Sequence, residues 1–197
     1  MDGNSLYLRA DRLVDGTGAS PVDDGAVLMS DGQLLEVGPS ASVTRPERAE
    51  VVEFDNCTLL PGLVDCHTHL TFRGDGSSLE ETMGDSDEVM VLLGARNASR
   101  ALHAGVTTLC DNGGRGSTTF SIKEAIGREY VVGPRVLLSG RPITVTGGHC
   151  WPLGGEADGV DAVRTAVRQL VKEGADWIKV MATGGGTKGT VGHQASY

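Results

Sequence analysis

Two histidines, His67 and His69, close the apolar run Leu60-Pro61-Gly62-Leu63-Val64-Asp65. On a β-strand, side chains two apart share a face, so both imidazoles can aim at one point, an arrangement suited to a divalent cation such as zinc. The tripeptide H-x-H also arises by chance; the apolar run before it marks a strand whose end would carry the pair, and strand ends are where parallel α/β folds place their active sites. Lys179 lies within Trp177-Ile178-Lys179-Val180. A charged amine in the middle of an apolar strand is costly, so it should be neutral or modified, unless it snorkels to the strand end. His149, in Thr146-Gly147-Gly148-His149-Cys150, follows a third apolar run at the same end; it either contacts a substrate or bonds to its own loop.

Other reactive residues carry weaker signals. His103 sits late in a helical pattern just before Gly105, where the helix C-terminus favours it, and reads as structural. His193 could line a pocket. Asp111 closes a second strand, where a structural hydrogen bond to a loop or to Arg115 is expected ahead of catalysis. Cys66 and Cys150 flank the two important histidine positions and could bind soft metals, but neighbours along a strand face opposite ways, so Cys66 should pack outward as a small apolar residue. Gly184-Gly185-Gly186-Thr187-Lys188-Gly189 lacks the phosphate-loop spacing, since Lys188 is followed by glycine, and is expected as a loop over the mouth of the site.

The elements that must position these residues are legible in the hydrophobic pattern. Residues 1–58 read as a small β unit with strands at Leu6–Ala10, Ala26–Met29 and Leu34–Val37, and Asp31-Gly32 marks a hairpin. From residue 59 the pattern alternates strand and helix. Strands are expected at Leu59–His67, Val106–Cys110, Arg135–Ser139 and Trp177–Met181, with helices at Asp87–His103, Thr118–Arg128 and Gly159–Glu173. The alternation implies an α/β fold with a parallel sheet covered by helices. Four strands cannot close a barrel, which needs eight.

Composition narrows the class of function. A formal net charge of −9, without any basic run, argues against a nucleic-acid partner. No apolar stretch approaches the roughly 20 residues that span a bilayer, and no signal peptide is visible at Met1-Asp2-Gly3-Asn4-Ser5, so neither membrane nor export is expected and cytoplasm is the default. Cys57, Cys66, Cys110 and Cys150 form no C-x-x-C pair, which favours reduced thiols over a disulfide framework.

Pro61-Gly62-Leu63-Val64-Asp65-x-His67-x-His69 resembles the first-strand signature of the amidohydrolase superfamily, and the surrounding sequence is similar to its imidazolonepropionase and Xaa-Pro dipeptidase-like branch. Gly105-Val106-Thr107-Thr108-Leu109-x-Asp111 looks like that family's second barrel strand, and Gly133-Pro134-Arg135-Val136 through His149 like its third. The resemblance implies the first half of a (β/α)8 TIM-type barrel (59–197) preceded by part of a small β-sandwich-like domain (1–58). It implies metal ligands at His67, His69 and Lys179, the lysine being carboxylated on its side-chain nitrogen and bridging two divalent ions, zinc first among the metals these ligands accept. Two such ions about 3.5–4 Å apart hold a hydroxide and polarise a carbonyl. A substrate contact is implied at His149.

The family's remaining ligands and its catalytic aspartate belong to later strands, so no catalytic base is assigned within 1–197. The expectation is a metal-dependent hydrolase of carbon–nitrogen bonds in a dipeptide, N-acyl amino acid or cyclic amide. A second polypeptide would supply the C-terminal barrel half, and the completed enzyme would be a hetero-oligomer of higher order. The alternative is a non-catalytic scaffold or regulatory subunit that retains the half-barrel. A mononuclear deaminase of the same superfamily is disfavoured, because those enzymes do not use the bridging lysine.

Overall fold

Short apolar stretches separated by Asp-Gly pairs build the first part of the chain. The computed structural model describes residues 5–187 and residue 197, and they divide into two units, Met1–Pro61 and Gly62–Tyr197. In the first unit, β1 (Ser5–Leu13), β2 (Val22–Ser30), β3 (Gln33–Pro39) and β4 (Glu50–Leu59) form one sheet in the order β3-β2-β1-β4. β1 pairs antiparallel with β2 and parallel with β4. The β2–β3 hairpin turns at Asp31-Gly32, whose φ values of 51° and 75° give the positive-φ pair that a tight two-residue turn needs. Tyr7, Ala26, Leu28 and Val43 are buried together on this sheet. β4, with the apolar Val51-Val52 and Phe54, is a strand that the turn-punctuated pattern did not bring out. Among the described residues the unit is a single sheet; the second layer that a sandwich requires is not among them.

In the second unit, β5 (Leu63–Thr68), β6 (Val106–Asp111) and β7 (Arg135–Leu138) form a parallel sheet in that order. α1 (Leu79–Met83) and α2 (Asp87–His103) connect β5 to β6, α3 (Thr118–Gly127) connects β6 to β7, and a 3-10 turn at Trp151–Leu153 and α4 (Gly159–Glu173) follow β7. α2 starts at Ser86, whose hydroxyl accepts the Val89 N–H, and ends with His103 Nδ1 donating to the Ser99 carbonyl at 2.7 Å. Leu70, Ala98, Leu109, Ile122, Val136 and Leu138 make the core between sheet and helices. No helix among the described residues is long and apolar enough to cross a membrane.

Two strand expectations change. Leu59 belongs to β4, and the strand that carries the histidines begins at Leu63, because Pro61 has no N–H to give a ladder. Gly62 then lets the strand enter against β6: a Cβ there would stand 2.1–2.7 Å from the Thr107 side chain. The segment Trp177–Met181 is not a continuous strand. It keeps one parallel bridge, Ile143 to Val180, flanked by 2.8 Å bonds from Ile143 N to Lys179 O and from Met181 N to Ile143 O. Its neighbour is interrupted by Gly140, at φ 69°, and by Pro142, which lacks a donor. Asp176 N still donates to Leu138 O at 2.8 Å, so the segment lies beside β7.

Candidate active site at the ends of the parallel strands

The last residues of β5 and the turn after it carry the histidine pair. His67 is exposed on β5, and its N–H donates to Asp65 Oδ1 at 3.0 Å. His69 lies just past the strand, partly buried, with its ring stacked on Phe72 at 4.7 Å. The two imidazole centroids are 5.5 Å apart. Two imidazoles sharing a tetrahedral cation at nitrogen distances of about 2.0–2.1 Å would place their centroids about 5 Å apart, so the pair fits a common divalent ion.

The protonation of His69 follows from its partner. Nδ1 lies 3.0 Å from the Gly113 carbonyl, and a carbonyl only accepts. Nδ1 therefore carries the hydrogen and leaves the Nε2 lone pair for a ligand, as metal-bound histidines require. Gly113 has φ 147°, and a Cβ there would come within 2.5 Å of Pro142 Cγ. No other residue presents that carbonyl without displacing its surroundings.

Asp111, buried at the end of β6, accepts the Leu70 N–H on Oδ2 at 2.8 Å and the Gly113 N–H on Oδ1 at 3.0 Å. Burial pushes its carboxyl up; the two N–H bonds and nearby His69 act against that. Asn97 on α2 donates to the carbonyls of Leu70 and Phe72, both at 2.9 Å, so the turn after His69 is held from both sides. Of the two structural partners expected for Asp111, a loop and Arg115, it takes the loop; Arg115 turns instead to Asp87 Oδ1 and to the carbonyls of Met83 and Asp85.

His149 is placed by the left-handed turn at Cys150, φ 62°. Its Nδ1 lies 2.7 Å from Thr187 Oγ1, which also accepts the Cys150 N–H at 2.9 Å. Gly185 packs directly on the ring, since a Cβ there would stand 2.6–2.7 Å from the imidazole atoms. Burial first, then nearby Lys179 and His69, lower the His149 pKa below the usual imidazole range. Lys179, partly buried, also acts electrostatically on Cys150.

The fold thus sets His67 beside His69 and brings His149 within electrostatic reach of both Lys179 and His69. Among the described residues no three His, Cys, Asp or Glu side chains gather around one point, so a three-ligand cation site built on the histidine pair would need a donor of another type, and Lys179 is the residue the motif offers. His193 lies outside the described residues. Cys66 is exposed, and Cys150 is buried with Sγ 3.5 Å from His149 Nε2. Sequence reasoning passed over Asn97, Gly113 and Phe72, and saw Thr187 only as part of the loop expected over the mouth of the site. Of the three passed over, only Gly113 left a local trace, in the Gly113-Gly114 pair after an apolar strand.

Comparison with known proteins places these features in context. The amidohydrolase family profile matches residues 58–197. The chain is 31% identical to an imidazolonepropionase of Rhizorhabdus wittichii, an alignment that takes in 90% of this chain and 53% of that protein. It is also 31% identical to an ochratoxinase of Aspergillus niger, over 88% of this chain and 41% of the other. The chain thus spans about half the length of these curated relatives. Among solved structures, an amidohydrolase superposes with TM-score 0.84 at 29% identity, over 98% of this chain and 51% of that one. A Xaa-Pro dipeptidase with bound methionine superposes with TM-score 0.85 over 98% and 51%, at 24% identity, a likeness of fold.

Proposed function

The chain belongs to the amidohydrolase family, and from that premise we propose that it contributes the first metal-binding half of a hydrolase acting on carbon–nitrogen bonds. The observation that carries this reading is the pair His67 and His69, 5.5 Å apart at the strand ends, with His69 Nε2 left free by its Nδ1 bond to Gly113. Both imidazoles would hold a divalent cation, zinc foremost, and Lys179, carboxylated on its side-chain nitrogen, would complete the first ligand set and bridge to a second ion. When bound, such ions activate water and polarise a carbonyl oxygen.

This chain's own residues do the rest of what it offers. His149, neutral because burial lowers its pKa, presents an imidazole to a substrate carbonyl or carboxylate, and Thr187 and Gly185 fix its ring. The proton-shuttling base is not assigned to residues 1–197. A further stretch of polypeptide, on this or a second chain, would complete the barrel by pairing with β5. In support, β5 stands at the edge of its sheet, and its Leu63 and Val64 are 50% and 60% exposed, an arrangement that invites strand addition. The substrate class is an amide of small size: a dipeptide, an N-acyl amino acid or a cyclic amide.

The test is metal analysis of the assembled protein, purified without chelator, beside a hydrolysis screen over those three substrate types. About two divalent ions per site, lost with activity in His69→Asn and Lys179→Met, supports the hydrolase. A carbamate resonance after incubation with 13C-bicarbonate, absent in Lys179→Met, supports the modified lysine. An assembled protein that binds no metal and cleaves none of the substrates refutes the proposal and leaves the scaffold reading.

A further inference from the structure

We propose that Asp111 is the positioning residue for His69, setting both its tautomer and its aim; this rests on the metal-binding reading of the histidine pair. One carboxylate does two linked jobs. Oδ2 takes the N–H of Leu70, the residue directly after His69, and so fixes the main chain from which the imidazole projects. Oδ1 takes the N–H of Gly113, whose carbonyl receives His69 Nδ1. The carrier of the ring and the acceptor that orients it are thereby tied to a single rigid group at the end of β6.

The chemistry requires a carboxylate. Two N–H donors converge on the side chain, so two acceptor oxygens are needed. Asparagine supplies one, and its NH2 would face the other N–H donor inside a buried site, where an unpaired donor is expensive. Asn97 does not duplicate the role. It holds the turn through the carbonyls of Leu70 and Phe72 and has no bond to Gly113. Asp111 is fully buried, so it acts through His69. Outer partners of this kind typically change metal affinity by about 10–100-fold when removed.

The experiment uses the full chain labelled with 15N and 13C, first without metal, at a pH above the ordinary imidazole titration. In the wild type, His69 should be the Nδ1–H tautomer, and the amides of Leu70 and Gly113 should show trans-hydrogen-bond coupling to the Asp111 carboxyl carbon. In Asp111→Asn, the His69 tautomer should become mixed, and zinc affinity, measured by competition with a chromophoric chelator, should fall about 10–100-fold. Asn97→Ala should leave the tautomer unchanged. Wild-type His69 protonated on Nε2, absent couplings, or Asp111→Asn with wild-type tautomer and affinity would each overturn the proposal. If Asp111→Asn does not fold, the wild-type couplings and tautomer decide. Wild-type protein that shows the expected tautomer yet binds no zinc even when assembled with the rest of the barrel would sink the metal reading and leave the positioning of His69 intact.

Discussion

Gly94, inside α2, is the point where helix packing and the histidine turn meet. A Cβ at Gly94 would stand 2.2 Å from Ile122 Cδ1 on α3 and 3.5 Å from the Leu70 carbonyl. Gly94→Ala therefore overfills a site where Ile122 is fully buried. Overpacking costs about 1–3 kcal/mol, while replacing a helical glycine by alanine returns about 1 kcal/mol, for a net loss of up to about 2 kcal/mol. Ile122→Val removes Cδ1 and by itself costs about 0.5–1.5 kcal/mol. In the double variant the clash is gone, and the remaining Cγ1 lies 3.3 Å from the new methyl, so the pair should lose no more than Ile122→Val alone. The expected coupling is favourable by about 1–3 kcal/mol, the size of the relieved clash. Urea unfolding followed by tryptophan fluorescence reads this directly, because Trp151 and Trp177 both lie in the second unit. Losses that add within about 0.5 kcal/mol, the behaviour of independent sites, would refute the packing argument.

Three further outcomes rest on close packing, burial and charge elsewhere in the chain. Gly62→Ala should destabilise the second unit by about 1–3 kcal/mol, since its methyl meets Thr107 of β6; a denaturation midpoint equal to wild type would contradict the close approach. The His149 imidazole should titrate below the ordinary value, as followed by NMR, and Lys179→Met should restore only the smaller part of the shift because burial is its main cause. As the unfolded His149 takes up its proton at higher pH than the folded one, stability falls as pH drops through the usual imidazole range, and this contribution vanishes in His149→Gln. Finally, an aromatic disulfide reagent should modify two thiols quickly, exposed Cys57 and Cys66, and two slowly. Cys110 and Cys150 are buried, and burial raises both their pKa values; four equal rates would contradict their placement.

The residue pattern determined the local elements that obey short-range rules. α2 and α4 fall where apolar spacing and flanking residues put them, because a Ser cap, a 3.6-residue period and a closing glycine act within one helix. The Asp31-Gly32 hairpin is equally local, two positive-φ residues between two strands. The His67–His69 pair was visible for the same reason: alternation along one strand needs no partner to be read.

Tertiary structure decided what depends on neighbours remote in sequence. The run Trp177–Met181 looks like a strand alone, but its ladder depends on a neighbour broken by Gly140 and Pro142, so it is held by one bridge. β4 needed β1 beside it to be recognised. Asp111 could have bonded Arg115 by sequence proximity, yet packing turned it to Leu70, 41 residues away, and gave Arg115 to the α1–α2 region. Residue type and spacing name the groups able to bind a cation, whereas the acceptor that fixes each imidazole comes from another loop, and only the folded chain brings it there.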